Sequence, residues 1–265
     1  PQGLGQWAAV AGALAVLGLV CAAPLLAIVG QAARALLWGQ GGAVLLEPET
    51  GQALWNTLRF SAMALVLATT LGLTHALAVR ALDVAGAARG ASQARGGLAL
   101  AWRAAAFLPF VVSPVTVAFG LLLLYPDWTA SLGLLVAAYA LLAYPFVAKS
   151  LTAALDSLPA SYAQAAATLG ASPWREFWRV TLPLVSGALR RGMAFAAATA
   201  LGEFAVSLFL SRPEWTTLTT LMYQRLGRPG AGNLDAALVL ACLLMALALL
   251  AFAGIEGKKD NRPHA

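Results

Sequence analysis

Apolar residues run along the chain in six long blocks, each separated from the next by a stretch rich in glycine, proline or charge. The first covers residues 7–33, opened by Trp7 and closed by Arg34, with Pro24 placed to kink it. The others cover 54–79, 98–125, 131–149, 184–210 and 235–255. A helix needs about 20 apolar residues to cross the hydrocarbon core of a bilayer, and each block meets or closely approaches that length. The pattern predicts an all-α fold: a polytopic membrane protein with about six transmembrane helices. Pro109 and Pro114 interrupt the third block. Such breaks persist where neighbouring protein or water satisfies the freed carbonyls, which gives a bundle-interior position; the other reading is an ordinary packing kink. Between the blocks, 35–53 reads as a glycine-rich external loop with Glu47 and Glu49, and 80–97 as a flexible basic loop.

The longest polar interruption, 157–183, has the punctuation of two short helices joined at a glycine. Ser157 is placed to cap the first, with Pro159 in its opening turn, and Gly170 supplies the left-handed residue that ends it. Ser172 caps the second and Pro173 fits its first position. On that second helix Trp174, Phe177 and Trp178 fall at i, i+3, i+4 and make an aromatic face, flanked by Arg175 and Arg179.

Composition agrees with a membrane protein: 60% of the 265 residues are hydrophobic and 11% are charged, against about 25% charged in soluble domains. The net charge of +6 is spread between apolar blocks rather than gathered in a stripe, so nucleic acid is not an expected partner. Six spans put both termini, the 80–97 loop and the 157–183 segment on one side. All but five of the 17 basic residues fall there, the exceptions being Arg34, Arg59, Arg212, Arg225 and Arg228. The positive-inside rule makes that side cytoplasmic. Cys21 and Cys242 sit in apolar blocks without metal or disulfide spacing. The start at Pro1, without a methionine or a signal-peptide cleavage pattern, is expected of a piece of a longer or trimmed chain.

From Gln164 the polar segment reads Gln-Ala-Ala-x3-Gly-x9-Val-x-Leu-Pro. It resembles the cytoplasmic signature of permease subunits of bacterial ABC importers, Glu-Ala-Ala-x3-Gly-x9-Ile-x-Leu-Pro. Ala165, Ala166, Gly170, Leu182 and Pro183 match and Val180 is conservative, while Gln164 replaces a glutamate that in the family contacts the ATPase subunit. The resemblance implies a coupling-helix loop between spans 4 and 5 that docks on a nucleotide-binding subunit through Gln164, Ala165, Ala166, Gly170, Trp174, Arg175, Phe177, Trp178, Leu182 and Pro183. It covers roughly residues 54–256. That makes 1–53 a first transmembrane helix with an external loop, 54–256 the transmembrane core and 257–265 a cytoplasmic tail. Leu201-Gly202-Glu203-Phe204, Thr217-Leu218, Met222 to Gly227 and Ile255-Glu256 look most like the C-terminal half of thiamine importer permeases, with ferric-iron permeases next. Implied with them are ATPase subunits, an extracytoplasmic binding protein, a second permease unit and a multi-pass place in the bacterial inner membrane. The implied solute is thiamine or a thiamine phosphate, or alternatively ferric iron.

Two charges fall inside spans. Glu203 lies about twenty residues into the fifth block, and Arg59 a similar depth from the outer face in the second. Ionisable groups there are costly unless paired or wet. One reading puts Glu203 and Arg59 on the translocation path or its gate; the other makes them a structural clip between spans. A rival from another class, a secondary transporter or channel, would use the same two residues with His75 to move ions. His75 alone reads as a helix-packing histidine, and Gly192 and Gly202 as close-packing positions. No phosphate-binding loop, Ser/His/Asp set or metal-ligand cluster is present, so no cofactor or metal is expected and ATP hydrolysis is assigned to a separate subunit.

Overall fold

The computed structural model describes residues 3–39, 41–87, 93–129, 131–210 and 212–257. Residues 88–92, with Arg89, and the tail from residue 258, with Lys258, Lys259 and Arg262, lie outside the described residues. Among those described there are helices and turns and no strand. Four stretches are long and apolar enough to span a membrane: Gly5–Leu37, Pro48–Val84, Leu132–Ser157 and Ala231–Glu256. They correspond to the first, second, fourth and sixth apolar blocks. The third and fifth blocks are helical but interrupted.

The first span is α1 (Leu4–Leu17), a π-turn at Gly18–Ala22, and α2 (Ala23–Leu37). Pro24 follows the π-turn by two residues. Proline has no N–H to give, and its ring clashes with the carbonyl four residues back; widening the preceding turn by one residue relieves both problems without breaking the rod. The external loop expected over 35–53 is shorter than predicted. Helix α2 carries on to Leu37, a 3-10 turn occupies Gly41–Leu46, and α3 (Pro48–Ala87) already starts with Pro48 and Glu49 in its first turn. Both residues suit a helix N-terminus, the proline because its N–H is not needed and the carboxylate because of the dipole.

The third span consists of α4 (Gln93–Ala105), the single turn α5 (Leu108–Val111) and α6 (Pro114–Leu124), so Pro109 and Pro114 each fall at the start of a new helix. The fourth, α7 (Leu132–Ser157), is capped by Ser131, whose hydroxyl accepts from the N–H of Leu134 at 3.1 Å. It runs eight residues beyond Lys149, where the sequence reading ended it, because Leu151 and Leu155 continue its buried stripe. Ser157 is therefore the last residue of α7. Its hydroxyl donates to the carbonyl of Ala154 and does not cap α8 (Ala160–Thr168), whose N-cap is Pro159.

The fifth span begins earlier than Leu184. The turn α9 (Pro173–Glu176), a π-turn at Phe177–Thr181 and α10 (Leu182–Leu201) follow one another without a break. The second short helix of the polar segment is thus the first part of the fifth span. Pro183 again follows its π-turn by two residues, the same arrangement as at Pro24. After Gly202 the chain turns and resumes as α11 (Ala205–Leu210), and α12 (Leu218–Leu226) and α13 (Ala231–Glu256) complete it.

The described chain forms two compact units. In the unit of Pro1–Leu54 with Thr217–Ala246, the loop after α2 is pressed against the start of α13: a Cβ on Gly39 would lie 2.5 Å from Oδ2 of Asp235. There Arg225 of α12 pairs with Glu47 and, at 3.5 Å, with Glu49. In the unit of Trp55–Thr216 with Leu247–Ala265, α7 is the central rod. Val147 of α7 meets glycine on two sides: a Cβ on Gly72 of α3 would stand 2.6 Å from its Cβ, and one on Gly192 of α10 would stand 2.9 Å from its Cα. Small residues at such points let helix backbones approach closely. Arg103 of α4 ties two helix ends together, bonding Asp83 of α3 and Asp156 of α7 at 2.6 Å each.

Candidate functional site

The end of α8 explains the spacing of its alanine and glycine residues. Gly170 has φ +74°, the left-handed region that a side chain disfavours. Its N–H bonds the carbonyl of Ala167 at 2.9 Å and the N–H of Ala171 bonds that of Ala166 at 3.0 Å. These are the two bonds of a Schellman stop, with glycine at the position that needs it. Ala166 is buried, whereas Gln164 and Ala165 are exposed. The chain then enters α9 with Ser172 accepting from the N–H of Arg175 at 3.4 Å and Pro173 in the first position, as the sequence predicted.

The aromatic residues beyond that cap gather into one cluster. Trp178 lies edge-on to Trp174 and to Phe177, with 5.4 Å between centroids in each case. The cluster is open in the single chain: Trp174 is 70% exposed, Trp178 48%, and Leu169 on the preceding turn 87%. Arg175 and Arg179 are exposed beside it, and Leu182 and Pro183 are half-buried. A hydroxyl-to-carboxylate bond from Thr181 to Glu176 spans the π-turn, joining residues five apart. Fixed aromatic and leucine surface flanked by arginines has the make-up of a protein-docking face.

Glu203 and Arg59 are not joined: no ion pair links them among the described residues. The clip expected between these two side chains is not built. The interruption after α10 leaves the N–H groups of α11 without helical acceptors, and the buried carboxylate of Glu203 turns onto them, Oε1 accepting from the N–H of Val206 at 3.1 Å. Arg59 is half-buried, with Cζ 4.7 Å from the centroid of Phe60 and a buried Nε that has no hydrogen-bond partner. His75 sits between the rings of Trp102 and Tyr144, a packed position.

Sequence reasoning missed the groups that hold the interruption. Tyr139 of α7, 2% exposed, directs its hydroxyl to the carbonyl of Glu203 at 3.3 Å and to the hydroxyl of Ser207. Asn56 of α3, 1% exposed, donates to the carbonyls of Glu214 at 3.0 Å and Thr216 at 2.8 Å and so fastens the turn beyond α11. The available signal was a polar side chain inside an apolar block, which Asn56 and Tyr139 both are.

With this geometry, the chain is similar to known transport proteins along most of its length. The family model described as "Binding-protein-dependent transport system inner membrane component" matches residues 98–255. The molybdenum transport system permease protein ModB of Mycobacterium tuberculosis (strain ATCC 25618 / H37Rv) is 31% identical over 263 residues, covering 92% of each chain. The sulfate transport system permease protein CysT of Escherichia coli (strain K12) is 31% identical over 244 residues, covering 86% of this chain and 84% of that protein. Among solved structures, a chain of a bacterial alginate ABC transporter in complex with its alginate pentasaccharide-bound periplasmic protein superposes with a TM-score of 0.69. It is 18% identical and covers 94% of this chain and 92% of that one.

Proposed function

The chain belongs to the family of binding-protein-dependent transport system inner membrane components, and from that premise we propose that the solute it passes carries a tetrahedral oxyanion. At the coarser level it is a permease subunit of an ABC importer for a small solute, a multi-pass membrane protein that transports and does not itself carry out the chemistry.

The observation that carries the choice of solute is how the charges inside the spans are used. The carboxylate of Glu203 is engaged by backbone N–H groups of α11, so it is not presented to a cation. The guanidinium of Arg59 has no carboxylate among the described residues. An unneutralised arginine suits an anion with several acceptor oxygens, since it offers donors in a planar fork. The similar permeases carry the names of sulfate and of molybdenum, which in water is a tetrahedral oxyanion. Ferric iron and free thiamine are cations and fit this arrangement poorly; a phosphorylated thiamine carries the required group. The ion-moving rival keeps Arg59 but is less well supported, since the Glu203 carboxylate takes a backbone N–H and His75 packs between two rings.

In this reading two ATPase subunits engage the segment from Gln164 to Pro183 on the cytoplasmic side through the open cluster of Trp174, Phe177 and Trp178. Gln164 gives a neutral hydrogen bond where the family signature has a salt bridge. An extracytoplasmic binding protein delivers the solute, a second permease unit completes the path, and both termini are cytoplasmic in the bacterial inner membrane. The test is uptake into vesicles carrying the reconstituted transporter and its binding protein, with labelled sulfate, molybdate, thiamine phosphate, free thiamine and ferric iron offered in turn. Uptake of one of the first three supports the reading. Uptake confined to free thiamine or ferric iron overturns it.

A further inference from the structure

Two spans are interrupted, and the chain treats them differently. In the fifth, Glu203, Ala205, Val206 and Ser207 are all buried, the Glu203 carboxylate takes the N–H of Val206, and Tyr139 covers the carbonyl of Glu203. In the third, nothing equivalent is built among the described residues. Ser113, the N-cap of α6, makes no side-chain capping bond. Pro109 and Pro114 supply no N–H, and each falls in the first turn of a new helix, so the ladder of backbone bonds is broken before both. The first turn of α6 leaves the N–H groups of Val115 and Thr116 outside it as well. Residues 110–116 are all exposed in the single chain, Val111 to 79%.

The open stretch lies at mid-height. The ring of Phe110 meets that of Phe146 with 5.0 Å between centroids, and Phe146 is the fifteenth of the 26 residues of α7. A second observation points the same way. Lys149 is exposed about two turns inside the end of α7, its Nζ lies 3.6 Å from the centroid of Phe107, and no carboxylate pairs with it among the described residues. Open backbone and an ammonium group at this depth are incompatible with hydrocarbon; they occur where protein covers them or water reaches them. The ammonium decides between the two, because burial against another protein surface would require a partner charge.

We propose that the face running from Phe107 to Thr116, together with Lys149, lines the water-filled translocation path opposite the second permease unit. This rests on the reading of the chain as one of two units around a path. An anionic solute crossing that face meets the Lys149 ammonium and the backbone N–H groups at the start of α6 in place of its water.

The test uses the assembled transporter, with its ATPase, in lipid nanodiscs. Cys21 and Cys242 are replaced by alanine and a spin label is attached in turn through Val111→Cys, Val112→Cys and Leu19→Cys. Leu19, 71% exposed in a span with no buried residue in its most apolar window, is the reference expected to face lipid. Collision of the label with a neutral, water-soluble nickel chelate and with oxygen, which concentrates in lipid, reports what surrounds it. The expected result is nickel accessibility at 111 or 112 several-fold above that at 19. Labels at both positions dominated by oxygen would place the face in lipid, and exclusion of both probes would place it in a dry protein contact; either result overturns the proposal. If one of the two variants fails to assemble, the other still reports. No solute enters the measurement, so an error in the choice of solute would leave its outcome unchanged.

Discussion

Tyr139 and Ser207 share a hydrogen bond between their hydroxyls, and through it the fourth span holds the far side of the fifth span's interruption while the same tyrosine donates to the near side at Glu203. Tyr139→Phe removes both the donor to the buried carbonyl of Glu203 and the bond to the buried hydroxyl of Ser207. The expected loss is about 1–3 kcal/mol, read as an earlier thermal unfolding of the purified transporter. An unchanged midpoint would mean that the bond contributes nothing net.

Glu203 is expected to act as a cap. Glu203→Gln keeps an oxygen facing the N–H of Val206, so it should assemble normally and keep uptake within about twofold of the unaltered transporter. Glu203→Leu leaves buried N–H groups without acceptors, at about 1–3 kcal/mol, and should lower the yield of assembled complex. A normally assembled Glu203→Gln that had lost uptake would instead put the carboxylate in contact with solute.

Gly192 and Gly187 lie on the same helix and should respond in opposite directions to alanine. At Gly192 the new methyl would meet Val147 at 2.9 Å, whereas at Gly187 nothing lies within 4 Å. Gly192→Ala should destabilise by about 1–3 kcal/mol through overpacking. Gly187→Ala should be neutral or stabilise by about 0.5–1 kcal/mol through helix propensity. Thermal midpoints measured side by side check the pair.

For the aromatic cluster, Trp174→Ala and Trp178→Ala should each cost about 2 kcal/mol or more of binding to the ATPase, seen as loss of co-purification from a permease that is still folded. Gln164→Glu, which restores the charge of the family signature, should tighten the same contact. Retention of the ATPase by a folded variant lacking both tryptophans would remove the cluster from the interface.

The existence and order of the six spans could be read from apolar block length, because in lipid the backbone has few alternatives to a helix. Boundaries were less legible. Ser157 has the composition of a cap, yet the apolar stripe of Leu151 and Leu155 outweighs it and the helix runs through. Gly170 and Ser172 were read correctly because φ +74° and an N-cap each depend on a single residue's local chemistry. The pairing of Glu203 with Arg59 was not built because matched depth along two helices says nothing about rotation around them. The role of Tyr139 could not be seen either, since its partners are 64 and 68 residues away.

The π-turn at Phe177–Thr181 sets a phase. Such a turn holds one residue more than the α-turn it replaces, and one residue of α-helix is about 100° of rotation. Losing Arg179 or Val180 would therefore let the segment close up as regular helix with Trp174 still in phase with the buried face of α10, whereas losing one residue from the regular part of α10 would swing Trp174 by about 100° relative to the residues beyond the deletion. Exposed positions there can change identity freely and the turn can absorb the loss of one residue, while a deletion in the regular helix beyond it would aim the same surface at a different partner.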